Sequence, residues 1–180
     1  MLIAAKDQSE VLKLKRLLFS EFHMKDLGLA QRILGMDIRR EQKRLVLDQQ
    51  HYAAKVLERF NIQDAKVVTI PLAPHFKLSE ALCPITAEDK GTISKIPYKS
   101  AVGSLMYLMV CTQPDITYVV GKVSKYMSNP GKIYWKAVKW ILRYIKGTMQ
   151  HGLVFDISFS RASTLIGYVD ANFAQDPDKR

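Results

Sequence analysis

Between residues 132 and 146, apolar and cationic side chains recur with the period of an α-helix, and no other stretch constrains the fold as tightly. At about 100° per residue, Ala137, Val138, Ile141 and Ile145 share one side, while Lys132, Lys136, Lys139, Arg143 and Lys146 lie opposite within roughly 80°. Trp135 and Trp140 flank that cationic arc. A helix of this kind is held in place by burying its apolar face against other elements. Two further helices are predicted before it, from about Tyr98 to Val110 and from Asp115 to Met127, punctuated by Pro114 and Pro130. Residues 98–150 therefore read as a helical unit.

The first 61 residues mix both periodicities. Met1 to Ala5 reads as a short buried strand, and Asp7 followed by Glu10 is an acidic capping-box pattern. Val11, Leu14, Leu18 and Phe22 then recur at helical spacing with Lys13, Lys15 and Arg16 toward solvent, which predicts a helix packed by one face. Arg32 to Arg39 and Leu45 to Asp48 flank a polar turn and alternate as a hairpin would. Asp48 can cap a following helix with Tyr52, Ala53, Val56, Leu57 and Phe60 as its buried stripe. From Ile62 to Pro97 the periodicity fades and Pro71, Pro74, Pro84 and Pro97 each remove a backbone donor, so 62–97 reads as a connecting segment. Thr86 and Asp89 permit one short helix there. After Gly147 and Gly152 the period becomes two, giving strands at Leu153 to Asp156 and Thr164 to Asp170 and the opening of a further domain. The fold class is α+β.

The net charge of +10 arises from 27 Lys and Arg against 17 acids, an imbalance that attracts polyanions over a Debye length of roughly 8 Å. On charge pattern alone, the 132–146 helix suits a solvated amphipathic face as well as a phosphate-tracking surface. Cys83 and Cys111 form neither a disulfide framework nor a Cys-x-x-Cys zinc pair, which fits a reducing, intracellular compartment. His23, His51, His75 and His151 lack metal-site spacing. The start is too short for a signal peptide, and no apolar run approaches the roughly 20 residues that span a bilayer. Neither a glycine-rich phosphate loop of the Gly-x-x-x-x-Gly-Lys type nor a Gly-x-Ser-x-Gly elbow occurs.

Several motifs stand in a definite order: HMKDLG (His23 to Gly28), ILGMDI (Ile33 to Ile38), VLERFN (Val56 to Asn61), YKSAVGSLMYLMVCTQPDITYVVGKVSKYM from Tyr98, WKAVKWILRYIKGT from Trp135, and GYVDAN (Gly167 to Asn172). Through them nearly all 180 residues resemble the copia-type LTR retrotransposon Pol polyprotein of plants, in its reverse transcriptase and RNase H region. The resemblance implies the end of a palm, a primer-grip-like hairpin and a thumb-like helix in 1–61. It further implies a connecting segment in 62–97, a helical connection region in 98–150, and the truncated start of an RNase H-like domain in 151–180.

Residue by residue, the resemblance makes Gly35 and Met36 primer-grip-like, and glycine in a strand allows close backbone approach. Asp170 matches the first RNase H-like, metal-binding carboxylate, although Asn172 and Phe173 depart from the family's acid and tryptophan. Gly103 is assigned to close packing. Gln113 stands where the family has arginine and cannot supply a bidentate charge, while Asp115 complements a helix N-terminus. The resemblance tips Lys132, Lys136, Lys139, Arg143 and Lys146 toward nucleic-acid binding. In the family a Tyr-x-Asp-Asp turn precedes the segment equivalent to Met1, and both RNA-directed DNA polymerase and ribonuclease H chemistry use Mg2+ held by several carboxylates. With one candidate carboxylate, this fragment is expected to bind no cofactor and to be inactive alone. Its expected partners are RNA–DNA hybrid or single strands, bound without sequence preference and in a salt-sensitive way, and the missing parts of the polyprotein. The alternatives are a non-enzymatic nucleic-acid-binding module and the product of a decayed element without selected function.

Overall fold

The structure, a computed structural model, describes residues 1–156. In chain order the elements are α1 (Gln8–Glu21), β1 (Arg32–Ile33), β2 (Met36–Arg40), β3 (Arg44–Asp48), α2 (Gln50–Arg59), α3 (Ala87–Ser94), α4 (Tyr98–Cys111), α5 (Thr117–Ser124), α6 (Lys132–Thr148) and β4 (Gly152–Asp156). Helices and one antiparallel sheet make this an α+β chain.

The core is helical. Ala101, Val102, Leu105 and Leu108 recur three and four residues apart on α4 and are fully buried against Val119, Val120 and Val123 of α5 and Ala137, Val138, Ile141, Leu142 and Ile145 of α6. α2 adds Ala53, Val56 and Leu57, with Phe60 just beyond its end. Tyr98 fastens α4 to α5 by donating its hydroxyl to the Val123 carbonyl at 2.8 Å. Gly103 lies on the outer side of α4, where an added Cβ would meet nothing within 4 Å, so the close packing expected of it does not form.

Among the described residues, four strands order as β1-β2-β3-β4. The expected hairpin is present as β2 and β3, in register from Asp37↔Asp48 to Arg40↔Leu45. What reads in sequence as one strand from Arg32 is broken, because Leu34 and Gly35 turn the chain between β1 and β2 with φ of 48° and 72°. Two consecutive left-handed residues make the tight turn that matches strand twist. β4 falls in the stretch read as a further domain, yet it pairs with β3 from Arg44↔Asp156 to Asp48↔Gly152. Residues 152–156 thus share a sheet with the first half of the chain.

The N-terminal expectations fare differently. Asp7 caps α1 by accepting from the Ser9 N–H at 2.9 Å, but Met1 to Ala5 form no strand, and Met1 and Leu2 are exposed. α1 has no buried residue. Its apolar side chains Val11, Leu12, Leu14, Leu17, Leu18 and Phe19 spread over roughly 220° of the helix instead of forming one narrow stripe. The Lys15–Asp26 ion pair at 2.8 Å ties α1 to the following loop.

Candidate nucleic-acid interface

α6 forms where the sequence places it, with Gly131 as its N-cap residue, and its apolar face is buried as expected. The cationic arc then divides along its length. Lys132, Lys136 and Lys139, in the first half, are exposed, with the Lys132 amine 3.8 Å from Asp89 of α3. Arg143 and Lys146, in the second half, are only part-exposed.

The division has a definite cause. The segment immediately after α2 lies along the C-terminal half of α6 and offers it backbone carbonyls. Arg143 Nε donates to Lys66 O at 2.5 Å, Lys146 Nζ to Ala65 O at 2.9 Å, and Trp140 Nε1 to Ile70 O at 3.0 Å. The Arg143 guanidinium also sits 5.0 Å from the centre of the Trp140 ring. Further along, Phe76 and His75 meet the Trp140 ring edge-on, each 5.8 Å between centroids. On the other flank Trp135 packs against Phe60 at 6.3 Å. Both tryptophans thus border the arc, and each is anchored by a neighbouring segment.

Gly35 and Met36 lie at the tip and the first strand position of the β1–β2 hairpin. The Tyr107 hydroxyl of α4 donates to the Leu34 carbonyl, and the Tyr107 ring meets Tyr52 of α2 edge-on at 5.1 Å. Burial pushes the Tyr107 phenol up, so it remains a donor at neutral pH. In the stem, Asp37 faces Arg32 at 2.5 Å and His51 of α2 at 2.7 Å. Desolvation raises the Asp37 carboxyl, but hydrogen bonds from Arg32 and His51 outweigh it and hold the group below its ordinary range. The turn is therefore fixed from two helices while the Leu34 side chain points outward, 73% exposed. The hairpin and α6 both pack against α2.

A polar junction at the end of α4 is not visible in sequence periodicity. Thr112 donates to Gln49 Oε1 at 2.9 Å, and Gln113 Nε2 donates to Thr148 O at 3.2 Å, joining α4 to the start of α2 and the end of α6. All three of Gln49, Thr112 and Gln113 are buried. An uncharged amide at 113 avoids placing a charge in that interior. Asp115, read as a first-turn acid, accepts a hydrogen bond from the Tyr144 hydroxyl at 2.7 Å; burial and this carboxylate push the Tyr144 phenol up to about 12. The TQPDI spacing could have pointed to this cluster, but only the fold supplies Gln49 and Tyr144.

Asp170 and the strand expected at Thr164 to Asp170 lie outside the described residues. Among the described residues no three His, Cys, Asp or Glu side chains gather as a metal site, so these residues do not fit a magnesium pair. No helix among them is long and apolar enough to cross a membrane.

The family Reverse transcriptase (RNA-dependent DNA polymerase) matches residues 1–74. The chain is 54% identical over 182 aligned residues to the retrovirus-related Pol polyprotein from transposon TNT 1-94 of Nicotiana tabacum, covering 100% of this chain and 14% of that protein. It is 37% identical over 161 residues to the Pol polyprotein from transposon RE1 of Arabidopsis thaliana, covering 89% of this chain and 10% of that protein. An uncharacterized mitochondrial protein of Arabidopsis thaliana is 36% identical over 136 residues, 76% of this chain and 53% of its own length. No solved structure matches. The chain carries reverse-transcriptase-like sequence. It belongs to the retrotransposon Pol polyprotein family, as its motifs imply, and spans a small part of those polyproteins' length.

Proposed function

We propose that this chain is a copia-type reverse transcriptase segment that holds nucleic acid and carries out no polymerase or nuclease chemistry by itself. In this reading residues 1–61 are the end of a palm with a thumb-like helix, 98–150 are the connection region, and 151–180 open an RNase H-like domain. The hairpin tip at Gly35 and Met36 approaches a primer end. RNA–DNA hybrid or single strand is bound without sequence preference, alongside the rest of the polyprotein. One observation carries the binding surface: Lys132, Lys136 and Lys139 are exposed together on α6, a helix whose opposite face is locked into the core. Three lysines at one-turn spacing track a phosphate backbone without reading bases.

Fluorescence anisotropy with labelled single strand and hybrid tests the surface. The chain is expected to bind at micromolar affinity or weaker, with affinity falling as salt rises. Reversing Lys132, Lys136 and Lys139 to glutamate together removes three phosphate contacts, a drop of about 2 in the single-strand salt slope, with the melting temperature retained. Equal binding by the triple variant would show that α6 is not the surface. Mg2+-dependent nucleotide addition to a primed template by the purified chain would overturn the claim that it lacks polymerase chemistry.

A further inference from the structure

We propose that residues 65–70 are a displaceable strap over a second, covered half of the nucleic-acid surface, in which Arg143 and Lys146 take phosphates and Trp140 takes a base once the strap leaves. The inference rests on the reading of α6 as a nucleic-acid surface and extends it to residues that are covered in this structure.

Three observations carry it. The first is chemical mimicry: what the strap presents to Arg143, Lys146 and Trp140 is a row of carbonyl oxygens at 2.5–3.0 Å. Phosphate oxygens ask for the same donors and add negative charge, which makes each such bond stronger. The second is continuity: the two covered cations extend, at helical spacing, the line of the three exposed lysines. A strand bound at Lys132, Lys136 and Lys139 is thus aimed at the strap. The third is that the strap is weakly held to itself. Among the described residues, no backbone N–H from Lys66 to Leu72 donates to another backbone carbonyl, and Pro71 has none to offer. Lys66, Val67, Thr69 and Ile70 are exposed, whereas Ala65 packs against the core at its start and Leu72, Ala73, Phe76 and Leu78 anchor the chain beyond its far end. Segments with solvated backbone and few buried contacts are those that open locally.

A reversible lock tests this. A Cβ built on Gly147 lies 3.7 Å from Val67 Cβ, within the roughly 3.5–4.5 Å that a disulfide spans. Val67→Cys with Gly147→Cys, in a Cys83→Ser, Cys111→Ser background, therefore pins the strap to α6 when oxidised and frees it when reduced. The probe is an oligothymidylate of about 20 nucleotides, longer than the roughly 4–16 nucleotides a single-strand groove covers. Two additional phosphates steepen the single-strand salt slope by about 1.4, so from about 50 to 200 mM salt the reduced form should lose about 7-fold more affinity than the oxidised form.

Trp135→Phe leaves Trp140 as the sole tryptophan, and stacking of a base on it should quench its emission in the unlocked chain. Equal slopes in both redox states would overturn the strap and leave the exposed-lysine surface standing. Unchanged Trp140 emission at saturating oligothymidylate in the chain without the cysteine pair would do the same, whether or not the disulfide forms. No binding in either redox state would overturn both the strap and the surface beneath it.

Discussion

Ile141→Asp is expected to leave the chain without a cooperative thermal transition. Ile141 is fully buried at the middle of α6. Removing its side chain from the core costs about 2–5 kcal/mol in transfer and cavity energy. An aspartate there adds the desolvation of a carboxylate, or the cost of its protonation, amounting to several kcal/mol more. Together these approach the roughly 5–15 kcal/mol that keeps a whole domain folded. The control is Lys136→Asp, the same residue on the exposed face of the same helix, where the change should stay within about 0.5 kcal/mol. Thermal melts by circular dichroism separate the two. A sharp transition in Ile141→Asp near the wild-type temperature would show that the helical core is not what stabilises the chain.

Gly152→Val is expected to detach β4 from β3. A Cβ at 152 would lie 2.4 Å from Leu47 O and 2.9 Å from Asp48 Cβ. The clash is with the backbone of the paired strand, so no side-chain rotation relieves it, and a β-branched residue adds bulk at the same point. Losing β4 breaks the register from Asp48↔Gly152 to Arg44↔Asp156 and the Arg44–Asp156 ion pair at 2.6 Å. The edge of β3, with Leu45, Val46 and Leu47, becomes open to water. A cost of roughly 3 kcal/mol follows from strain of this kind combined with lost packing. Hydrogen exchange should show lost amide protection at 44–48 while α4 and α6 keep theirs. Protection at 44–48 equal to that of the wild type would contradict the close approach of Gly152 to Leu47.

Helices were the legible part of this fold. α2, α4 and α6 begin and end close to where apolar stripes and prolines place them, because those signals are local and act within one or two turns. The cap residue of α2 is Gln49 rather than the expected Asp48, whose carboxylate accepts from the Gln50 N–H at 3.2 Å. The β2–β3 hairpin was legible for the same reason. The turn at Leu34 and Gly35 was not: ILGMDI alternates like one strand, and leucine is a poor advertisement for a left-handed residue. The partner of β4 was also hidden. Arg44 and Asp156 are 112 residues apart in sequence yet bonded in the sheet, and no local pattern encodes such a pairing. In α1 the apolar spacing suggested a packed face, but none of its residues is buried and only Val11 and Leu18 of that face are part-buried.

For the candidate interface, the sequence by itself determined the chemistry: five cations on one side of a helix whose other side must be buried. That follows from a 3.6-residue period and the solubility of each side chain, both properties of the residues alone. Only the tertiary structure decided which cations face solvent. Arg143 and Lys146 are covered by a proline-containing segment with no periodicity of its own, whose path is set by where α2 ends and α3 begins. Long-range packing of that kind leaves no trace in local spacing, so an even ridge of charge in the sequence becomes a divided one in the fold.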